Sequence, residues 1–312
     1  MIHWLLQSYA DCPEVANGQA PLGLLNAAEI ERLGQFTVEK RRREWLLGRY
    51  TVKQLVQKYL ELETGQRPPL DALVIGRDSA ESAAPVAIFD CEAVPMDLPA
   101  GARWSSAVPL VSIPGRKAGQ HLPVVSGMRL PVSLSVSHCG DTAFCALYVA
   151  SDDAPTSSDA MLDGLPTHGI VQIGADIERI EPRSEGFVQA YFSPQEITWI
   201  DETPADLRQT LITATWSAKE AVLKSLLLGL SVATGRVTCL CDLSPAASPE
   251  WRTVRVRCDP TLVPEALQRA SWPGSDYDLL NCPFTFTGWW RVEGAFVLTL
   301  VALQIETGDI QP

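Results

Sequence analysis

Asp176 and Glu178 stand two residues apart at the end of an apolar stretch running from Ile170 to Ile177. Alternate residues of a strand share one face, so both carboxylates leave the same side of the backbone. One hard cation can then use both. Oxygen donors of this kind suit magnesium, which keeps several waters and accepts substrate phosphate as a further ligand. Taken alone, an Asp-x-Glu pair equally describes a solvated strand end, since acidic side chains are mostly exposed. A second group comes from Trp216-Ser217-Ala218-Lys219-Glu220-Ala221-Val222-Leu223-Lys224. At i and i+4 on a helix, Glu220 and Lys224 share a face. An exposed pair of this sort contributes only ~0.3 to 0.5 kcal/mol. Here Leu226, Leu227 and Leu228 follow directly, which describes a mostly buried helix on which a charged pair is expected to face a cleft.

Two further segments offer anion contacts. In Ser135-Val136-Ser137-His138-Cys139-Gly140 a histidine and two hydroxyls meet a turn between apolar stretches. Ser137, His138 and backbone N–H groups of such a turn can hold a phosphate; a neutral histidine capping the turn is the plainer alternative. A Ser-His-Asp hydrolase is the less favoured reading, because adjacent strand residues point to opposite faces and the chain has no G-x-S-x-G elbow. The run Glu39-Lys40-Arg41-Arg42-Arg43 continues through Gly48-Arg49 to Lys53 in an otherwise acidic chain. At the angular step of a helix, Arg42, Arg49 and Lys53 fall within about 40° of one another and form a local anion site. A solvated helix face or an import-like basic run would look similar. Neither a Walker A motif nor G-x-G-x-x-G occurs, so side chains rather than a glycine-rich cradle must hold any phosphate.

The elements that must position these residues follow from periodicity. Ala27 to Leu62 reads as helices, with Trp45, Val52, Val56 and Tyr59 at helical spacing. Gly, Pro and short apolar runs then predict irregular chain, with a long insertion over Asp90 to Arg129. Pro131 to Ala150 predicts two strands bent at His138-Cys139-Gly140-Asp141. The polar stretch Ser151 to Gly169 has the composition of a linker. Beyond it come a strand over Ile170 to Ile177, helices over Phe187 to Asp201 and Ala205 to Leu228, and strands over Thr253 to Cys258, Phe284 to Val292 and Ala295 to Ile305. Both halves combine helices with strands, giving an α+β chain with an N-terminal subdomain over 1–160 and a C-terminal one over 161–312.

With 312 residues, the chain is long enough for two domains, and 46% hydrophobic with 20% charged residues is an ordinary globular composition. A formal charge of -12 argues against general nucleic-acid binding, which draws on a broad basic surface. The longest apolar runs, such as Phe296 to Leu303, are too short to span a bilayer. The N-terminus lacks the basic n-region and apolar core of a signal peptide, so a cytoplasmic location is expected. Eight scattered cysteines read as reduced thiols, and with no CxxC pair and four isolated histidines zinc is not expected.

Taken in order, these segments resemble the 4'-phosphopantetheinyl transferase family, in its large, monomeric, two-halved type. Val132-Ser133-Leu134-Ser135-Val136-Ser137-His138-Cys139-Gly140 resembles the family's first signature, Gly174-Ala175-Asp176-Ile177-Glu178 its G-x-D-x-E, and Trp216 to Lys224 its W-x-x-K-E-x-x-x-K, closed by Gly229-Leu230. Upstream, Glu39 to Lys53 is similar to the family's basic helix ending in Gly-Arg. The similarity spans about residues 36 to 304 and departs at two places. The family's Gly-Lys-Pro or Gly-Ala-Pro segment near the adenine has Ala83-Ala84-Pro85 as its nearest match, and the insertion has no evident counterpart.

The resemblance implies two similar α+β subdomains related by pseudo-two-fold symmetry, each with a small antiparallel sheet on helices. It implies transfer of phosphopantetheine from coenzyme A to a serine of an acyl or peptidyl carrier protein, with release of 3',5'-ADP. Asp176, Glu178 and Glu220 would hold Mg2+; Glu220, Lys224 and His138 would be catalytic. Arg43, Arg49, Lys53, Pro85, Ser137, His138 and Lys224 would contact coenzyme A, with Arg49 at its 3'-phosphate. A magnesium-dependent pyrophosphate hydrolase and a non-catalytic relative that binds coenzyme A and carrier are the alternatives.

Overall fold

A computed structural model describes residues 2–77, 85–89, 128–130, 132–149, 170–243, 251–269 and 283–305. The chain divides into two compact units, Ile2–Val149 and Ala150–Pro312 together with Met1. Among the described residues no helix is long and apolar enough to cross a membrane.

In the N-terminal unit β1 (Ile2–Ser8) is followed by α1 (Pro13–Ala16), α2 (Ala27–Gly34) and α3 (Glu39–Thr64). Asn26 caps α2 reciprocally with Glu29, satisfying the first free N–H groups of the helix. The long α3 ends where Gly65 takes a left-handed conformation, φ 71°, which only glycine adopts without steric cost. Short strands β2 (Leu73–Arg77), β3 (Pro85–Phe89) and β4 (Met128–Arg129) form one antiparallel sheet in that order. A second sheet has the order β1-β6-β5, from β5 (Val132–Cys139) and β6 (Thr142–Val149). The expected bend joins them, with Gly140 at φ 62° as the residue that permits so tight a reversal. Val52, Leu55, Val56 and Leu60 of α3 pack with Leu73, Leu134, Cys145 and Leu147 in one buried cluster.

The C-terminal unit holds a five-stranded antiparallel sheet of order β7-β11-β10-β9-β8. Its strands are β7 (Ile170–Arg179), β8 (Val237–Cys241), β9 (Arg252–Cys258), β10 (Phe284–Glu293) and β11 (Phe296–Ile305). Its helices are α4 (Glu185–Tyr191), α5 (Pro194–Asp201), α6 (Ala205–Ser225) and α7 (Leu262–Arg269). Helix α6 lies on β7 and β11, burying Ala214, Ala218, Ala221, Val222 and Leu223 against Ile173, Ala175 and Leu300 at 3% exposure or less. Small side chains at the contact let helix and sheet approach closely.

The helices and sheets make this an α+β protein. Three expectations need correcting. The pattern over Phe187 to Asp201 is two helices, because Ser193 caps a new start, with Pro194 in the first turn and Glu196 closing a capping box. Helix α6 stops at Ser225, and Leu227 turns the chain with φ 60° in place of a continued helix. Met128 and Arg129, taken as the end of the irregular insertion, pair with Phe89 and Ile88. The remainder of that insertion and the linker at 151–169 lie outside the described residues.

Candidate functional site

In the C-terminal unit Asp176, Glu178 and Glu220 each bring a carboxylate oxygen within 4.8 Å of the others. Strand alternation supplies the first two, and α6 supplies the third. The glycine two residues before Asp176 explains how they meet. A Cβ on Gly174 would lie 1.8 Å from the carbonyl oxygen of Ala221 and 2.8 Å from the nitrogen of Ser225. The backbone of β7 therefore touches the backbone of α6 one residue from Glu220, a contact closed to any residue with a side chain.

Lys224, a turn beyond Glu220, donates to Asp176 Oδ1 at 2.6 Å and to the Ala175 carbonyl at 3.2 Å. The helix pair read from spacing is thus joined to the strand acid as well. Asp176 is 1% exposed. Glu178 accepts from the Trp216 indole N–H at 3.2 Å on Oε1 and from Arg183 at 2.8 Å on Oε2. Burial, then the neighbouring Asp176 charge, pushes the Glu178 carboxyl above its ordinary range, while Arg183 and Trp216 pull the other way. The same causes act more strongly on Glu220, which is pushed up to about 7, Lys224 opposing. Three crowded carboxylates favour the protonated acid until a cation offsets their charge.

Lys219, adjacent to Glu220, turns the other way. It is fully buried, pairs with Glu196 at 2.8 Å, and donates to the carbonyls of Thr234 and Val237. Glu196 in turn accepts from the Cys239 N–H at 2.6 Å. The lysine ties α6 and α5 to the start of β8; it has no path to a substrate.

In the N-terminal unit His138 is exposed and Ser137 is 6% exposed. The His138 ring lies on α3 at Gly48, where a Cβ would sit 2.2 Å from Nε2. The glycine before Arg49 thus makes room for the histidine. Arg49 stacks on Trp45, with its guanidinium carbon 5.0 Å from the ring centre, and lies 3.7 Å from Glu29. Arg43 reaches the Ala16 carbonyl at 3.5 Å and Arg42 that of Gly18 at 3.0 Å. Pro85 opens β3 opposite Arg77.

Lys53 shares Glu29 with Arg49 but is closed off from solvent. Its ammonium is fully buried, ion-paired with Glu29 and hydrogen-bonded to the Leu24 carbonyl at 2.8 Å. Helical angle placed it beside Arg42 and Arg49, but α2 docks over that end of α3. A phosphate contact from Lys53 is therefore withdrawn. Arg183 and Trp216 as partners of Glu178 had no sequence-level assignment. The loop placing Arg183 gives no periodic signal, and Trp216 was legible only as part of a motif.

The strand-helix contact gathers three carboxylates and a lysine on an antiparallel α+β scaffold, a donor set that could hold a cation. Residues 172–268 match the family described as ACPS: 4'-phosphopantetheinyl transferase superfamily. Over that segment the chain is similar to this superfamily. No curated protein matches the chain. Solved structures similar to it include a Chronobacterium ammoniagenes ACPS–CoA complex, at 14% identity and TM-score 0.32, covering 44% of this chain and 98% of that one. Another is a holo-(acyl-carrier-protein) synthase of Bacillus anthracis in complex with CoA (3',5'-ADP), at 14% identity and TM-score 0.29, covering 42% and 94%. A holo-[acyl-carrier-protein] synthase of Thermotoga maritima has 18% identity and TM-score 0.27, covering 44% and 65%.

Proposed function

We propose that the chain transfers the 4'-phosphopantetheine moiety of coenzyme A to a serine of an acyl or peptidyl carrier protein, releasing 3',5'-ADP. The observation that carries this is the meeting of Asp176, Glu178 and Glu220 with Lys224 inside the segment that matches the superfamily.

The donor set fits Mg2+: three hard carboxylates from a strand and a helix, all oxygen, with no sulfur or imidazole among them. Asp176, Glu178 and Glu220 would hold the ion, and when bound it would offset charge on the pyrophosphate of coenzyme A. The chain's own residues supply the rest. The serine oxygen forms a bond to the β-phosphorus as the bond to the bridging oxygen breaks, and 3',5'-ADP leaves with that oxygen. Charge grows on the non-bridging and leaving oxygens, where a fixed ammonium such as Lys224 stabilises it more in the transition state than in the ground state. Glu220 is assigned the serine proton, as the carboxylate that α6 holds one turn before Lys224. In the N-terminal unit Arg43, Arg49, Pro85, Ser137 and His138 are assigned contacts with coenzyme A, Arg49 with its 3'-phosphate. Monomeric state, a cytoplasmic location and a pseudo-two-fold relation of the halves belong to the same proposal.

Mass spectrometry of an apo carrier incubated with coenzyme A, Mg2+ and the protein tests the proposal. Added phosphopantetheine mass supports it. Hydrolysed coenzyme A with an unchanged carrier points to a pyrophosphate hydrolase, and neither change to a non-catalytic binder; either overturns it.

A further inference from the structure

A glutamate at the end of a strand has three side-chain torsions, and holding its carboxylate in one plane takes more than packing. In this protein the two oxygens of Glu178 are taken by two different donors. The Trp216 indole N–H meets Oε1 at 3.2 Å from α6, and the Arg183 guanidinium meets Oε2 at 2.8 Å from the loop that follows β7. Each carboxylate oxygen has a further lone pair, so a donor on each leaves both able to face a cation.

Both donors are themselves fixed. Trp216 is 9% exposed and makes edge contacts with Phe187 and Tyr191, at ring separations of 5.0 and 5.2 Å. Arg183 lies over the Phe187 ring with its guanidinium carbon 5.2 Å from the centre, and its backbone N–H donates to the Gln209 side chain of α6 at 3.2 Å. One aromatic group thus orients both hydrogen-bond donors, and the backbone of Arg183 is pinned to the helix that carries Glu220.

From this arrangement we infer that Arg183 and Trp216 are positioning residues for Glu178, fixing its carboxylate so that it meets a divalent cation together with Asp176 and Glu220. The inference rests on the proposed cation site and adds the two residues that orient one of its ligands. Donors of this kind around a metal ligand typically alter cation affinity by about 10- to 100-fold. Removing the arginine charge would also make the centre more negative and raise affinity, so Arg183→Lys, which keeps the charge and loses the planar fork, is the informative change. Trp216→Phe is the neutral counterpart: it keeps the ring in the aromatic group and deletes only the indole donor.

The test is a Mn2+ titration, by calorimetry or by the free-ion spin-resonance signal, of the full chain as wild type, W216F and R183K, with thermal midpoints recorded in EDTA. The expected result is Mn2+ dissociation constants raised about tenfold or more in both variants. Midpoints in EDTA stay close to wild type, and saturating Mn2+ restores turnover. Affinities within twofold of wild type in both variants overturn the inference while leaving the cation site intact. Wild type that binds no Mn2+ removes the proposed site and the inference with it. Should W216F fail to fold, R183K decides alone, since the lysine keeps the charge and the Arg183 side chain is partly exposed.

Discussion

Gly174→Ala is the sharpest perturbation of the strand-helix contact. Its Cβ would arrive 1.8 Å from the Ala221 carbonyl oxygen, where ordinary contact begins at 3.4 Å, and the obstacle is backbone that no rotamer change can move. β7 and α6 must therefore separate locally by about 1.6 Å, the difference between those two distances. Overpacking of this kind costs about 1 to 3 kcal/mol and more when the backbone itself has to shift. The functional loss is expected to exceed the structural one, because Asp176 and Glu178 ride on β7 while Glu220 and Lys224 ride on α6. A displacement of about 1 Å at such a site costs on the order of a hundredfold in rate. The assay pairs a thermal melt with Mn2+ titration and carrier loading. Gly235→Ala serves as the control in the same unit, since its Cβ meets nothing within 4 Å. Loading and cation affinity of G174A within twofold of wild type would refute the reasoning.

Glu220→Gln keeps the size of the side chain and removes both a cation ligand and the assigned proton acceptor. Carrier loading is expected to fall by on the order of a hundredfold or more with the circular dichroism spectrum unchanged; near wild-type loading would end that assignment. Glu220 also predicts a pH dependence. Its carboxyl is raised from 4.5 to about 7 in the folded protein, so the folded state holds the proton more tightly than the unfolded chain. Its contribution in EDTA is therefore most favourable below about pH 4.5, declines as pH rises through 7, and is level above. Denaturation curves across that range should show the decline in wild type and a weaker one in E220Q; equal slopes would contradict the assignment. In the other unit, Gly48→Ala would put a Cβ 2.2 Å from His138 Nε2. The ring is exposed and can rotate away, so stability should change little while the KM for coenzyme A rises about tenfold, consistent with loss of about one charge-assisted contact. An unchanged KM in steady-state kinetics would remove His138 from the coenzyme A contacts.

What the sequence revealed depended on whether local periodicity or long-range docking sets a residue's surroundings. Alternation along β7 was enough to put Asp176 and Glu178 on one face, and helical spacing was enough to pair Glu220 with Lys224. Neither pattern showed that Lys224 would reach across to Asp176, because that contact depends on how α6 lies on the sheet. Lys53 is the opposite case. Its angle on α3 was read correctly, but angle alone does not tell which face is covered, and Glu29 on α2 receives its charge. The glycines at 48 and 174 appear in the sequence as motif letters, and their reason is visible only once the His138 ring and the α6 backbone are in place. Arg183 was hidden for a related cause: a loop residue carries no period, and its role comes from the Glu178 oxygen and the Phe187 ring it meets.

The central claim is tested most directly by the mass of an apo carrier protein after incubation with coenzyme A and the purified chain, with Mg2+ and with EDTA in parallel. The account predicts a gain of one phosphopantetheine on the carrier serine with Mg2+, equimolar release of 3',5'-ADP, and no gain in EDTA. A carrier of unchanged mass in Mg2+, or one modified equally well in EDTA, would contradict it.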